Sequence, residues 1–143
     1  MHKTLDNYSK SIEANTNSQQ VFKALTEDLH LWWGITTDSD FKEGGHFTIH
    51  FENEYWWTFK IIEFTPNKEL IWKCIDGEPD FNKEWIGHVL HWDIIESDTK
   101  TTINLLQIGL TPEIKCYEIC STTWNMFIEE RLKQHLETSK LNT

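Results

Sequence analysis

The sequence predicts an α+β fold in which a curved antiparallel sheet of about six strands wraps around a long C-terminal helix, with a short helix pair after the first strand. Apolar side chains recur at every second position through the middle of the chain and at helical spacing near its end. The chain also contains eight tryptophans in 143 residues. Because each buried indole brings roughly 150–250 Å² of surface, we expect either a dense aromatic core or an aromatic-walled pocket.

The first strand and the helix after it are indicated by local signals. Residues 8–15 alternate weakly between apolar and polar side chains, which is typical of a strand. Asn17 lies three residues before Gln20, a spacing that favours a helix N-cap. We expect this helix to stop near Trp33 and Gly34, with the glycine as its left-handed terminator. The apolar face of the helix comprises Val21, Phe22, Leu25 and Leu29.

The sheet follows between residues 41 and 110, where the apolar period is two. The pair Ile61 and Ile62 followed by Phe64 shifts the phase by one residue and predicts a β-bulge. Residues 65–68 and 97–100 are predicted turns. Alternation with a polar face predicts antiparallel strands covered on one side. The predicted inward sets are Phe47, Ile49 and Phe51; Trp57, Phe59 and Ile61; Leu70, Trp72 and Cys74; Ile86, His88, Leu90, Trp92 and Ile94; and Ile103, Leu105 and Gln107.

The last predicted element is a long helix. Thr111, Pro112 and Glu113 supply a capping residue, a proline for the first turn and an acidic side chain beside the positive end of the helix dipole. We expect the helix to run to about Glu137 and to lie across the sheet. Its predicted apolar face comprises Cys116, Tyr117, Cys120, Trp124, Phe127, Ile128 and Leu132.

Composition limits the classes of partner. The formal net charge is −10 and Arg131 is the single arginine, so we expect no nucleic-acid partner, which would need a basic surface. No apolar run approaches the ~20 residues of a membrane span, which predicts no membrane insertion and a soluble, cytoplasmic protein. Three cysteines indicate free thiols. We expect a single domain over residues 1–143, with its core at 8–137, as a monomer or homodimer without a cofactor.

A specific motif lies at the start of the last helix. Residues 109–120 read Gly-Leu-Thr-Pro-Glu-Ile-Lys-Cys-Tyr-Glu-Ile-Cys, and Trp124 and Leu132 follow. This segment resembles the GL-x-PE-x-x-CY-x-x-C-x-x-x-W pattern of the START-like, or SRPBCC, helix-grip superfamily, in the bacterial branch related to the C-terminal domain of the heat-shock-protein-ninety ATPase activator. The segments 85–87, 93–94 and 101–102 also fit that branch. The resemblance covers residues 8–137.

The resemblance implies a deep cavity between sheet and helix that binds hydrophobic or lipid-like ligands, with cyclase or hydrolase chemistry in some branches. Two positions depart from the family pattern. Gln107 stands where such sequences often carry a histidine, and Arg131 stands where they often carry a serine. A histidine-dependent activity at the first position is therefore not expected here.

The sequence offers two candidate polar sites on the inward faces. Arg131 falls within about 20° of Trp124 around an ideal helix, where it could receive a carboxylate or phosphate of the ligand. Alternatively, it could pair with a strand glutamate such as Glu63 or extend its charged end to solvent at the cavity rim. His88 could act as an acid or base, although a hydrogen-bonded core histidine is the simpler interpretation. A redox role for Cys116 stands beside the simpler prediction that Cys116 and Cys120 are small core residues.

Metal binding is not expected. His46 and His50 lie four residues apart on one strand, about 13 Å in an extended chain, so they cannot share an ion. The predicted ligand-binding wall gathers the inward side chains of several elements, with Trp32 and Trp33 at the mouth. It comprises Trp32, Trp33, Trp57, Phe59, Trp72, His88, Leu90, Trp92, Leu105, Gln107, Trp124, Phe127, Ile128 and Arg131.

Three classes of function follow from these observations. The leading hypothesis is the binding of a hydrophobic or amphipathic small molecule without catalysis. The second is an acid–base enzyme of the cyclase or hydrolase type, using His88 and Gln107, with Arg131 as a further candidate. The third is a chaperone-associated interaction module that uses the acidic outer surface. No nucleophile–base pair can be identified from spacing, so no residue is assigned as catalytic.

Overall fold

The computed structural model describes residues 7–141, apart from the side chains of Asn53 and of residues 139–141. Seven strands form one antiparallel sheet in the order β1-β7-β6-β5-β4-β3-β2. The predicted α+β class is confirmed. The strands are β1 (Tyr8–Ala14), β2 (Ile35–Thr37), β3 (His46–His50), β4 (Trp56–Thr65), β5 (Glu69–Glu78), β6 (Val89–Glu96) and β7 (Thr101–Ile108).

The helical elements pack against the apolar face of this sheet or connect its strands. Two single turns of 3₁₀-helix cover Leu29–Leu31 and Glu52–Glu54. None of the helices among residues 7–141 is long and apolar enough to cross a bilayer. The helices are α1 (Ser18–Ala24), α2 (Asp80–Lys83), α3 (Tyr117–Met126) and α4 (Lys133–Leu141), and a π-helical stretch (Phe127–Leu132) joins the last two.

Helix α1 begins as predicted and ends earlier. The Asn17 side chain accepts a hydrogen bond from the Gln20 backbone N–H at 2.8 Å, which is the expected cap. The helix ends at Ala24 and not near Trp33, and the Thr26 hydroxyl donates to the Phe22 carbonyl at 2.8 Å. That bond satisfies one carbonyl left free at the helix end.

The prediction that Gly34 terminates the first helix is wrong. Gly34 instead allows the backbone to pack closely against β3. It does not have a positive φ. A Cβ atom built at Gly34 would lie 2.9 Å from the His50 carbonyl oxygen and 2.9 Å from the Ile49 side chain. Because such contacts are too short for a side chain, only glycine lets the chain pass this close to β3.

The long hairpin of β4 and β5 confirms the predicted bulge. The register of the pair shifts between Ile61 and Glu63, and a second shift lies between Thr58 and Phe59. The inward sets predicted for β3, β4 and β5 are buried, whereas Phe51 lies just beyond β3 and is half-buried. Strand β2 was not predicted, because three residues without a buried side chain carry no usable period.

Strand β6 is shorter than predicted. It begins at Val89, and residues 80–88 instead form α2 and two turns. Ile86 is exposed rather than inward-facing, and Gly87 has a φ of +95° that no strand adopts. His88 is buried, although it precedes the strand. The turn at 97–100 and the buried set Ile103, Leu105 and Gln107 are as predicted.

The C-terminal helix begins at Tyr117 and not after the predicted cap at Thr111, because residues 112–116 form turns. Its last part, α4, extends to Leu141. The buried positions of the C-terminal helix recur every four residues. In an α-helix that spacing drifts by ~40° per step, because a turn takes 3.6 residues. The π-helical stretch has wider turns closed by i→i+5 hydrogen bonds, which keeps the buried positions facing the sheet. They are Cys116, Cys120, Trp124, Ile128, Leu132 and Leu136.

Candidate functional site

The centre of the interface between sheet and helix is filled by side chains. Trp72 and Trp92 are fully buried, with ring centroids 5.7 Å apart, and Trp124 meets Trp92 edge to face at 5.9 Å. These separations are ordinary for packed aromatic rings. Nine residues of the predicted wall are therefore buried and lie outside the apolar cavity described next, namely Trp32, Phe59, Trp72, His88, Leu90, Trp92, Leu105, Gln107 and Ile128.

A cavity of about 220 Å³ lies at one end of the interface, where α3 faces α2 and the segment that leads into β4. Its lining is almost entirely aromatic and aliphatic. Four predicted wall residues belong to it: Trp33, Trp57, Trp124 and Phe127. The other lining residues are Phe51, Tyr55, Phe81, Asn82, Trp85, Ile119, Cys120 and Thr123.

The four tryptophans that line this cavity are Trp33, Trp57, Trp85 and Trp124, and we call them the indole quartet. Trp57 and Trp85 stack with centroids 3.9 Å apart and planes 11° apart. Trp33 and Trp124 stack at 4.9 Å and 26°. The two pairs are linked by contacts of 6.0 Å and 6.4 Å between near-parallel rings. The quartet is therefore a group of near-parallel stacked rings that forms part of the cavity wall.

Asn82 is the buried polar side chain on the cavity wall. It lies in α2 and is 1% exposed. Its Nδ2 atom donates to the Trp56 backbone carbonyl at 3.1 Å. The backbone carbonyl of Asn82 accepts a hydrogen bond from the Trp57 indole N–H at 2.9 Å. The Asn82 Oδ1 atom has no hydrogen-bond partner. Buried side-chain oxygens of this kind are uncommon in folded proteins.

A hydrogen-bonded chain crosses the packed centre beside the cavity. The Trp124 indole N–H donates to Gln107 Oε1 at 2.8 Å, and Gln107 Nε2 lies 3.0 Å from His88 Nδ1. An indole N–H only donates, which fixes the Gln107 amide and makes His88 Nδ1 an acceptor. Burial lowers the pKa of His88, with Glu84 opposing the shift. His88 is thus held as a neutral core histidine.

Gly109 makes room for that histidine. Its φ is +114°, and a Cβ atom there would lie 2.4 Å from the His88 ring. The glycine is required both for its backbone conformation and for the close approach of the ring.

The two helix cysteines meet the quartet at Trp85. Cys120 lines the cavity, and Cys116 is fully buried behind it, with its backbone N–H bonded to Glu84 at 3.1 Å. A hydrogen bond from Cys120 lowers the pKa of Cys116, and the same interaction raises that of Cys120. The Trp85 indole N–H has no partner of normal geometry, but it lies near enough to lower the pKa of both thiols. Both thiols are core residues, as expected.

The predicted position of Arg131 on the helix is wrong. Arg131 is exposed instead of lying at the centre of the apolar face, and its guanidinium lies 5.5 Å from the centroid of the Phe127 ring. The wide turns of the π-helical stretch rotate it away from the position that an ideal α-helix gives. Among the described residues no ion pair joins Arg131 to Glu63.

One group among the described residues has the donor types of a metal site. Glu69, His91 and Asp93 lie together on β5 and β6, on the face away from the C-terminal helix, with ligand atoms within 4.8 Å of one another. His91 Nε2 lies 2.6 Å from Glu69 and 3.4 Å from Asp93. These contacts form a half-exposed cluster in which His91 and Glu69 share a hydrogen bond. His46 and His50 do not belong to it.

Comparison with known proteins gives the family. The model of the family described as "Activator of Hsp90 ATPase homolog 1-like protein" matches residues 15–137. Among curated proteins none matches this chain in sequence.

Several solved structures share the fold. The Aha1 dimer from Colwellia psychrerythraea has 21% identity and a TM-score of 0.78, covering 92% of this chain and 96% of that one. CalU16 from Micromonospora echinospora has 15% identity and a TM-score of 0.67, covering 89% and 71%. An HSP90 activator from Plasmodium falciparum has 18% identity and a TM-score of 0.66, covering 87% and 91%. Because the family model spans most of the chain, and the segment at 109–124 carries the motif of that branch, this protein belongs to the Activator of Hsp90 ATPase homolog 1-like family.

Proposed function

We propose that this protein binds a small, flat, apolar molecule in the cavity between α3 and α2. The observation that carries the proposal is the indole quartet, because it combines near-parallel ring faces with an open space of ligand size. Offset stacking on such faces favours an aromatic guest over a chain. The apolar lining supplies the rest of the binding free energy through burial.

The volume restricts the class of ligand. A cavity of ~150 Å³ holds benzene, whereas pockets for drug-sized molecules reach ~300–1,000 Å³. The cavity here measures about 220 Å³, which suits one or two fused rings. A long-chain lipid or a polycyclic polyketide does not fit without movement of the walls.

The geometry gives less support to the other two functions. Acid–base catalysis needs a group that reaches the substrate, but His88 and Gln107 bond to each other and neither lines the cavity. The chaperone-associated function has support from the family description and none from the cavity, so binding of a small molecule does not depend on it.

The test uses p-xylene and naphthalene as probes, with binding followed by isothermal titration calorimetry and by the near-ultraviolet circular dichroism of the tryptophans. Thr123 is exposed and borders the cavity, so Thr123→Trp places a large side chain at the mouth. Thr122 is an exposed neighbour that does not border it, so Thr122→Trp is the matched control. We expect both probes to bind the unmodified protein and the control, and Thr123→Trp to weaken binding at least tenfold.

Two results would refute the proposal. One is the absence of binding by either probe at its solubility limit. The other is equal binding to the Thr123→Trp and Thr122→Trp variants, which would place the bound probe elsewhere on the protein.

A further inference from the structure

The amide orientation of Asn82 is fixed by its neighbours. The Trp56 carbonyl lies 3.1 Å from one end of the amide. A carbonyl oxygen only accepts, so the NH₂ group must face it and Oδ1 must be at the other end. The Trp57 indole N–H also holds the backbone carbonyl of Asn82 at 2.9 Å. These bonds leave the side chain few other arrangements.

The Oδ1 atom that remains is a buried acceptor without a donor. Leaving such an atom unpaired costs as much as the net gain of one or more ordinary hydrogen bonds. The wall itself encloses Oδ1, and because Asn82 lines the cavity, a molecule within it can supply the missing donor once the wall side chains around Oδ1 shift aside. Thr123 also lines the cavity, but it is an exposed residue.

We infer that the ligand is a small aromatic molecule carrying a neutral hydrogen-bond donor, as in a phenol, and that Asn82 Oδ1 accepts its hydrogen bond. This inference rests on the proposed function and specifies its ligand. The donor orients the ring while the quartet supplies the stacking surface. Asn82 thereby determines specificity, because an apolar wall alone cannot distinguish a hydroxyl from a methyl group of the same size.

The charge distribution excludes an anionic form of the ligand. An amide oxygen repels a phenolate or carboxylate, and no cationic side chain lines the cavity among the described residues. Lys83, next to Asn82 in the chain, has its Nζ atom bonded to Glu78 at 2.8 Å at the surface. A buried anion would therefore remain unpaired.

The experiment compares p-cresol with p-xylene, which differ by a hydroxyl in place of a methyl group. Dissociation constants are measured by titration calorimetry for the unmodified protein, for Asn82→Leu and for Thr122→Val, a control outside the cavity lining. We expect p-cresol to bind the unmodified protein at least as tightly as p-xylene. In Asn82→Leu, p-cresol should bind roughly tenfold more weakly than p-xylene, because its hydroxyl is buried without a partner. Thr122→Val should keep the unmodified ratio, and 4-methylbenzoate should not bind.

The outcomes separate the two proposals. If both probes bind and Asn82→Leu keeps the unmodified ratio, the hydrogen bond to Asn82 is refuted and the cavity stands as a binding site. If neither probe binds, both proposals fail. Should Asn82→Leu not fold, the unmodified protein still decides, because p-xylene binding tenfold more tightly than p-cresol would show an unpaired hydroxyl and overturn the inference.

Discussion

The two ends of the sheet–helix interface use tryptophan in different ways. At the packed centre Trp72 and Trp92 are fully enclosed, and they act as large apolar fillers. At the open end Trp33, Trp57 and Trp85 line a cavity. Trp124 belongs to both regions, since its ring stacks on Trp33 and its indole N–H bonds to Gln107.

The difference between these regions arises from what faces the helix. The packed centre is covered by regular strands, whose alternating side chains interdigitate with the helix face. The open end is covered by the segment before β4 and by the four-residue helix α2. Irregular segments place side chains less densely than a sheet face. Whether a tryptophan packs in the core or lines a cavity therefore depends on the element that faces it and not on the residue type.

The largest expected effect on the free energy of unfolding comes from truncating one aromatic ring in each region. Trp72→Ala removes a fully enclosed ring and should lower the free energy of unfolding by about 3–5 kcal/mol. Phe81→Ala removes a half-buried ring that already borders empty space and should cost about 1–2 kcal/mol. Urea unfolding followed by far-ultraviolet circular dichroism measures both. Equal losses would show that the two regions are packed alike.

A smaller effect concerns the pH dependence of stability, to which His88 in the packed centre should contribute. Burial lowers the pKa of His88 below the usual histidine value of 6.5, so the unfolded chain binds a proton more readily than the folded protein. Stability is therefore lost as the pH falls through 6.5 towards the folded pKa. The slope approaches ~1.4 kcal/mol per pH unit for one group. Protonation at Nδ1 would also place a donor against Gln107 Nε2.

Unfolding measured between pH 7.5 and 5.5 tests that effect. His135 has a pKa lowered by burial as well, so His88→Gln should flatten the pH dependence without abolishing it. His46 is exposed, and His46→Gln serves as the matched control substitution. Binding of p-xylene should not follow this titration, because His88 does not line the cavity. An unaltered pH profile in His88→Gln would contradict the assignment.

The regular part of the fold could be predicted from the sequence because its signals are local. The alternation in β4 and the doubled isoleucine at 61–62 gave the strand and its bulge, and Asn17 gave the cap of α1. The π-helical stretch also had a signal, since apolar residues recur every four positions from Cys116 to Leu136. That strict spacing does not suit a 3.6-residue turn.

The cavity could be predicted only in part. Trp57 and Trp124 belong to periodic segments, so their inward direction was foreseeable. Phe81, Asn82 and Trp85 lie in α2 and the turn after it, where no period reveals which way a side chain points. Their place on the wall depends on contacts between segments distant in sequence. Alternation through residues 86–94 was misleading, because the positive φ of Gly87 interrupts it.

The smallest predicted effect concerns Arg131, which lies at the boundary of the cavity without lining it. Its guanidinium stacks on Phe127, and Phe127 is a wall residue. Because the stack is exposed, Arg131→Ala should cost about 0.5–1 kcal/mol of unfolding free energy, and Arg131→Lys should cost less. Neither substitution should change the affinity for naphthalene or p-cresol. A tenfold loss of affinity in Arg131→Ala alone would mean that the guanidinium positions Phe127 over the ligand, and the cavity would then extend further along the helix than its lining residues show.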